Sequence, residues 1–299
     1  MIKIECVNDI IEAERLWRLL SPDESIYDLW DLRYCFYKND IQPLFFYTAY
    51  DDGEPVGLLP LQQNLNTEVE CYEFFAENFT ESNRPFVKAG YEYLIPELFA
   101  VAPKVTKIYD IVGIDDFTRA LPIEDYVYRM DISEMHGFED YLAMKFATAK
   151  KRSNFKRLFT ILERDHEVKV VRNNFADLEI LMDLNVKHFG DESYLRTDKE
   201  RQPFRDLLSL PLDIQMLTIE IDGEKLAASL AIVHKDIYFY LIIGSDISKI
   251  DTAFKYLTKA NLELALEKKL KMFNCALGAC NWKDAWHLDK QPQYEFIKE

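Results

Sequence analysis

One passage, written twice, limits the fold of this chain more than any other feature. Leu44 to Leu61 reads as a strand, a tight Asp52-Gly53 turn and a second strand; Asp213 to Val233 reads the same way about Asp222-Gly223. Asp-Gly between two apolar runs signals a hairpin, because glycine takes a positive φ at little cost. In each copy a helical segment precedes the hairpin and aromatic strand material follows it. Two copies of one supersecondary unit predict a mixed α/β (α+β) fold in two similar halves. The length, 299 residues, suits two domains of about 150 residues each.

Around the repeat, apolar spacing at Ile10, Ile11, Leu16, Trp17, Leu19 and Leu20 predicts a helix over 8–20. A second, aromatic-rich helix is expected at 26–38, a third at 91–100 and a strand at 106–112. Pro122 to Gly137 reads as a boundary, giving domains 1–130 and 131–299. Beyond it, a stripe from Phe138 to Leu162 predicts one long helix ending near Asp165. A helix at 175–188 and an irregular stretch at 189–203 follow. Asp236 to Gly244 predicts a buried strand, Ser245 to Thr252 a polar loop, Ala253 to Leu264 a helix and 271–278 a returning strand. Strand, helix and strand of this length imply a right-handed crossover.

Composition excludes several functions. Hydrophobic residues make up 48% and charged residues 29% of an ordinary globular chain, and the net charge of −16 disfavours DNA, wide RNA contact and anionic membranes. Five cysteines (Cys6, Cys35, Cys71, Cys275 and Cys280) without a CxxC pair read as reduced thiols. No signal peptide opens the sequence and no apolar run approaches the ~20 residues that cross a bilayer, so a cytoplasmic protein without a membrane span is expected. No two of the nine glycines lie within two residues of each other, which excludes a glycine-built phosphate loop. Five scattered histidines and no HExxH or GxSxG motif give no metal site and no serine-hydrolase elbow.

Three places remain for chemistry. In this acidic chain, Lys145 to Arg157 is strongly basic; on a helix Arg152 and Lys156 share one face, and Lys150 and Arg157 another. Such a face suits a phosphate or carboxylate, or else a solvated surface of weak ion pairs. The block Gly278 to Trp286 follows a buried strand, where α/β proteins place ligands, and sets Lys283 between Trp282 and Trp286. The alternative is two tryptophans anchoring the chain end, with Lys283 snorkelling outward. The loop Ser245 to Thr252 leads into a helix N-terminus that suits a pyrophosphate, or that Asp251 or Thr252 caps.

Taken together, a KKRSNFKR helix, a strand pair about Asp-Gly, an aromatic strand ending in glycine, a helix, a strand and a G-x-x-x-W-K-x-x-W block resemble a known family. The chain looks like the tandem GNAT-fold acyltransferases related to Fem-type aminoacyltransferases and to the C-terminal domain of lysylphosphatidylglycerol synthases. Motifs carry this over about 138–288, and the first half matches in pattern alone. The resemblance implies two tandem GNAT-like acyl-CoA N-acyltransferase folds, the first degenerate. It also implies direct transfer from an acyl-CoA thioester or an aminoacyl-tRNA to an amine of a small metabolite or cell-envelope precursor.

By the same resemblance Lys283, Tyr240, His188 and Asp246 are the catalytic candidates. Lys151, Arg152, Lys156, Arg157, Trp282 and Trp286 would meet the substrate; Ile243, Gly244, Ser245, Thr252 and Ala253 would line the donor. The reading requires the basic helix and Lys283 to share a pocket. Two departures stand out. Ser248 to Phe254 has no glycine where acetyl-CoA users carry Q/R-x-x-G-x-G/A, and Trp282 replaces the tyrosine often found before the lysine. They favour a rival from another class, a non-catalytic binding protein that keeps the fold as a scaffold.

Overall fold

A computed structural model describes residues 1–67, 70–77, 79–278 and 281–299. Contacts divide the chain into a first unit, Met1–Val127 with Leu277, Gly278 and Gln291–Glu299, and a second, Tyr128–Ala276 with 281–290. The first unit begins β1 (Ile2–Val7), α1 (Ile10–Leu20), α2 (Trp30–Tyr37), β2 (Leu44–Asp51), β3 (Glu54–Asn64) and β4 (Cys71–Phe74). It continues with β5 (Phe86–Val87), α3 (Ile95–Val101), β6 (Thr106–Val112), α4 (Asp116–Arg119) and the start of β7 (Ile123–Asp131). The second unit takes the end of β7, then α5 (Phe138–Lys145), α6 (Ala149–Asp165), β8 (Val168–Arg172), α7 (Leu178–Phe189) and α8 (Asp198–Leu207). After these come β9 (Asp213–Ile221), β10 (Glu224–His234), β11 (Ile237–Ser245), α9 (Thr252–Glu267), β12 (Met272–Asn274) and α10 (Asn281–Ala285). The last strand is β13 (Asp289–Lys298).

The repeat is structural. Strand order is β1-β2-β3-β4-β6-β13 in the first unit and β8-β9-β10-β11-β12-β7 in the second. Each is an antiparallel four-strand meander, then a parallel strand, then an antiparallel one. Both Asp-Gly pairs close hairpins, at Asp51↔Glu54 and Ile221↔Glu224. Their φ values are positive at both central positions: 47° and 87° at Asp52 and Gly53, 52° and 82° at Asp222 and Gly223. That is the type I′ geometry, whose twist matches that of the strands it joins.

The sixth strand of each unit explains where the units divide. β13 pairs with β6 from Gln293↔Val112 to Lys298↔Thr106, so the C-terminal residues group with the first unit and not with an uninterrupted 131–299. In turn β7 pairs with β12 at Arg129↔Asn274, Met130↔Phe273 and Asp131↔Met272.

Other expectations change for local reasons. The long helix of 138–165 is two, because Thr148 takes an extended conformation and caps α6 by accepting from the Lys151 N–H (3.3 Å). The stretch 189–203 contains the start of α8, opened by a capping box in which Thr197 and Glu200 satisfy each other's backbone N–H. The strand of 271–278 holds only Met272–Asn274 before Ala276 turns to φ 62°. Cys6, Cys35, Cys71 and Cys275 are not joined in disulfides among the described residues, while Cys280 lies outside the described residues. Among the described residues no helix is long and apolar enough to cross a membrane.

In the first unit the buried cation is structural. Arg33 donates to the carbonyls of Tyr27 (2.8 Å) and Phe75 (3.1 Å) and to Asn83 Oδ1 (2.8 Å). Burial pulls its guanidinium down to about 10, and its Nε, Nη1 and Nη2 are each held by these acceptors inside the unit.

Candidate functional site in the second unit

β11 is the strand on which a site can form. It pairs with β10 from Ile237 to Ser245, but with β12 only at Ile237, Phe239 and Tyr238 between them. Past Phe239 the pairing of the two parallel strands ends, and among the described residues Tyr240–Ser245 has no ladder partner on that side. An open strand edge offers backbone donors and acceptors to an extended ligand. Asn185 of α7 donates to the Ile243 carbonyl (2.6 Å) within this stretch.

The end of β11 is held by α7. A Cβ on Gly244 would lie 2.6 Å from Leu184 C and 2.7 Å from Leu181 O, so only glycine permits the helix backbone to approach this closely. Helix and strand thereby bring His188 to Ser245, whose Oγ is 2.7 Å from Nδ1. Burial lowers the His188 pKa below its ordinary value and the Ser245 contact works against that. The ring also lies 5.3 Å from that of Phe254.

After β11 the chain enters α9, 16 residues long, with no side chain capping its first turn. Its partial positive charge is directed at the loop, whose Ile250 carbonyl accepts the Ala253 N–H (3.1 Å). The two loop carboxylates that would repel an anion are engaged. Asp246 is buried, paired with Lys187 and bonded by Ser248 Oγ (2.6 Å); Asp251 pairs with Lys255 (3.1 Å). These contacts hold both pKa values low, so Asp246 is a fixed charge with its proton-accepting capacity spent. Thr252 Oγ1 donates to Asp251 (3.0 Å) and Ala253 is fully buried.

Rings close the bottom of the parted strands. Phe254 meets Trp282 edge to face at 5.2 Å, Trp282 lies 6.5 Å from Tyr240, and Tyr240 lies 5.8 Å from Phe273. The Tyr240 hydroxyl is buried near Thr258 and Ser229, and burial raises its pKa far above the usual phenol. Lys283 points inward, not outward. It is 4% exposed; Nζ donates to the Ala276 carbonyl (3.1 Å) and sits over the rings of Tyr128 (4.9 Å) and Trp282 (5.8 Å).

Phe254 thus joins His188 and Ser245 to Trp282 and Tyr240, with Lys283 at the base. The basic helix is not drawn into this group. Arg152 Nη1 donates to the Phe146 carbonyl (2.8 Å), Lys156 pairs with Glu139, and Lys151 and Arg157 are exposed. None of these cations shares a described partner with Lys283. Trp286 is buried against Tyr141 (5.4 Å) and Phe155 (5.2 Å), an anchor for the chain.

One family model covers the parted parallel strands and the helix between them. An acetyltransferase (GNAT) domain model matches residues 149–284.

These residues share the GNAT fold.

The GNAT domain runs from the basic stretch of α6 to α10 and so takes in β11, α9 and Lys283. No curated protein matches the chain at a significant level. Among solved structures, FemX is similar over 98% of this chain and 96% of its own, at 11% identity and a TM-score of 0.61. The C-terminal domain of a protein named as a lysylphosphatidylglycerol synthetase from Agrobacterium fabrum is similar over 95% of this chain and 91% of its own, at 10% identity and a TM-score of 0.55. A tandem GNAT protein from the clavulanic acid biosynthesis pathway is similar over 99% and 96%, at 10% identity and a TM-score of 0.53. The whole chain therefore has the tandem GNAT fold.

Sequence reasoning missed Lys187, Asn185 and Phe254 of the GNAT domain. Phe254 follows the predicted loop directly and was legible as an apolar residue on the first turn of α9. The other two lie on α7, and nothing in their spacing marks them.

Proposed function

We propose that the chain is an N-acyltransferase whose GNAT domain lays an activated acyl or aminoacyl donor along the open edge of β11. The observation that carries this is the parting of β11 from β12 after Phe239, directly ahead of the uncapped α9. A donor's carbonyl chain would pair with the backbone of Ile243, Gly244 and Ser245, and its phosphates would meet the start of α9 at Thr252, backed by Ala253. An acyl-CoA and the 3′ end of an aminoacyl-tRNA both present this combination; the acceptor is an amine of a metabolite or envelope precursor. The anion-facing surface would be the exposed Lys151 and Arg157 with Arg152 and Lys156.

Transfer needs no covalent enzyme intermediate. The amine nitrogen attacks the donor carbonyl, the C–S or C–O bond breaks, one amine proton goes to a base, and the leaving group takes up a proton. His188 is the base: its lowered pKa keeps it neutral near pH 7. Asp246 supports it only as charge. Lys283 acts from the base of the parted strands, as a positive charge beside Tyr128 and Trp282.

A specific observation favours the rival reading of a binding scaffold: Lys283 is buried under the rings of Tyr128 and Trp282, and Trp282 is itself packed against Tyr240 and Phe254. Turnover decides between them. With acyl-CoA or aminoacyl-tRNA as donor and a panel of amines, wild type should turn over. Lys283→Met, which keeps the volume without the charge, should lose about a hundredfold in kcat/KM, and Lys283→Arg should recover part. Full activity in Lys283→Met removes the role of Lys283. Absence of turnover with every donor leaves the scaffold.

A further inference from the structure

Charge is segregated in the second unit in a way that the open edge of β11 does not explain. From Tyr141 to Leu162 the chain holds six cations and no carboxylate, so +6 here stands against −22 on the other 277 residues. At the chain's average of 52 carboxylates in 299 residues, a stretch of this length would hold about four. Three of the six cations are answered locally: Lys145 by Asp289 (3.3 Å), Lys156 by Glu139, and Arg152 by the Phe146 carbonyl (2.8 Å). Lys150, Lys151 and Arg157 are exposed and have no carboxylate partner among the described residues.

Their placement works against the helix that carries them. α6 opens with Lys150, Lys151 and Arg152 and has no acidic residue in its first turn. A helix N-terminus is partially positive and favours anions, so three cations there repel it and one another. A layer of external anions removes that repulsion. Lys150 and Arg157 lie two turns apart on one exposed face, on the order of 10 Å along the axis, with exposed Ser153 and Asn154 between them. That spacing matches separate anions in an array.

The corner leading into α6 adds an apolar component. Met144, in the last turn of α5, is 57% exposed, and Ala147 to Lys151 are exposed without interruption. The corner is held in shape from below. Phe146 turns inward, 4.9 Å from Phe155 and 5.9 Å from Tyr141, while Arg152 grips its carbonyl. A preformed corner loses little freedom on docking. An apolar tip beside lysines suits a lipid headgroup layer, where methylenes leave water and cations meet phosphates. A nucleic-acid backbone would use the cations but gains nothing from Met144.

We infer that the α5–α6 corner docks the protein on an anionic lipid surface, with Met144 and Ala147 in the headgroup layer and Lys150, Lys151 and Arg157 on its phosphates. The net charge of −16 is no bar to this contact. Physiological salt screens charges beyond about 8 Å, so a surface touched at one corner responds chiefly to the charge of that corner. The inference deepens the reading of α6 as an anion-facing surface. Its test uses neither donor nor turnover, so either can fail while the other stands.

Co-sedimentation of the full chain with vesicles provides the test. Vesicles of phosphatidylcholine with about 30% phosphatidylserine should bind the protein at least about tenfold more tightly than phosphatidylcholine alone, and about 0.5 M salt should remove the difference. Lys150→Gln and Arg157→Gln should each weaken binding about fivefold. Met144→Ser should weaken it about threefold. Lys104→Gln, at an exposed lysine of the first unit, should change nothing. A short RNA duplex at the same phosphate concentration should bind more weakly and be indifferent to Met144→Ser. The inference is overturned by equal binding to both kinds of vesicle, by unchanged binding in the Lys150→Gln, Arg157→Gln double variant or in Met144→Ser, or by RNA bound more tightly than the anionic vesicles.

Discussion

His188 Nδ1 lies 2.7 Å from Ser245 Oγ, joining the last turn of α7 to the last residue of β11. The bond sets the imidazole at the end of the strand edge where the donor is proposed to lie, and burial disfavours its charged form.

A pH dependence follows. The folded chain prefers neutral His188, so the unfolded chain binds the proton first as pH falls. His188 therefore costs no stability above the ordinary histidine value of about 6.5 and an increasing amount below it. Between pH 7.5 and 5.5 the urea midpoint of wild type should fall further than that of His188→Gln. Equal falls would show that His188 does not titrate differently on folding.

Gly244 tests the packing beneath this arrangement. Its missing Cβ leaves room for the α7 backbone at Leu181, Leu184 and Asn185, and a helix backbone cannot step aside as a side chain can. Gly244→Ala should destabilise the chain by about 2–3 kcal/mol. Urea unfolding measures this directly, and a change below about 0.5 kcal/mol would show that α7 can shift freely.

Much of this architecture was legible because local chemistry repeats. Asp-Gly at 52–53 and 222–223 specified both hairpins, and the alternation after them specified the order of the elements. The Thr197-x-x-Glu200 pattern that opens α8 was equally visible, but Pro203 and the polar run around it masked the helix. The exchange of sixth strands was not legible. β13 begins Asp289-Lys-Gln-Pro-Gln293, a polar run whose strand character comes from pairing with β6.

Side-chain direction was the other limit. Trp282-Lys-Asp-Ala-Trp286 marked a conspicuous block, yet sequence could not say that Lys283 turns in to the Ala276 carbonyl. Nor could it show that the cations of α6 are answered by Phe146 and Glu139, at places that Lys283 does not share. Spacing reports which residues lie on one helix face, while convergence between elements depends on packing.

Donor binding to the GNAT domain is the central claim, and thermal unfolding with candidate donors tests it most directly. Wild type should show a higher Tm with a long-chain acyl-CoA or with a minihelix RNA carrying a non-hydrolysable aminoacyl end, since a ligand of the native state stabilises it. Thr252→Glu, which places a carboxylate at the start of α9, should abolish the rise. A Tm unmoved by either donor, or a rise that persists unchanged in Thr252→Glu, would contradict the account.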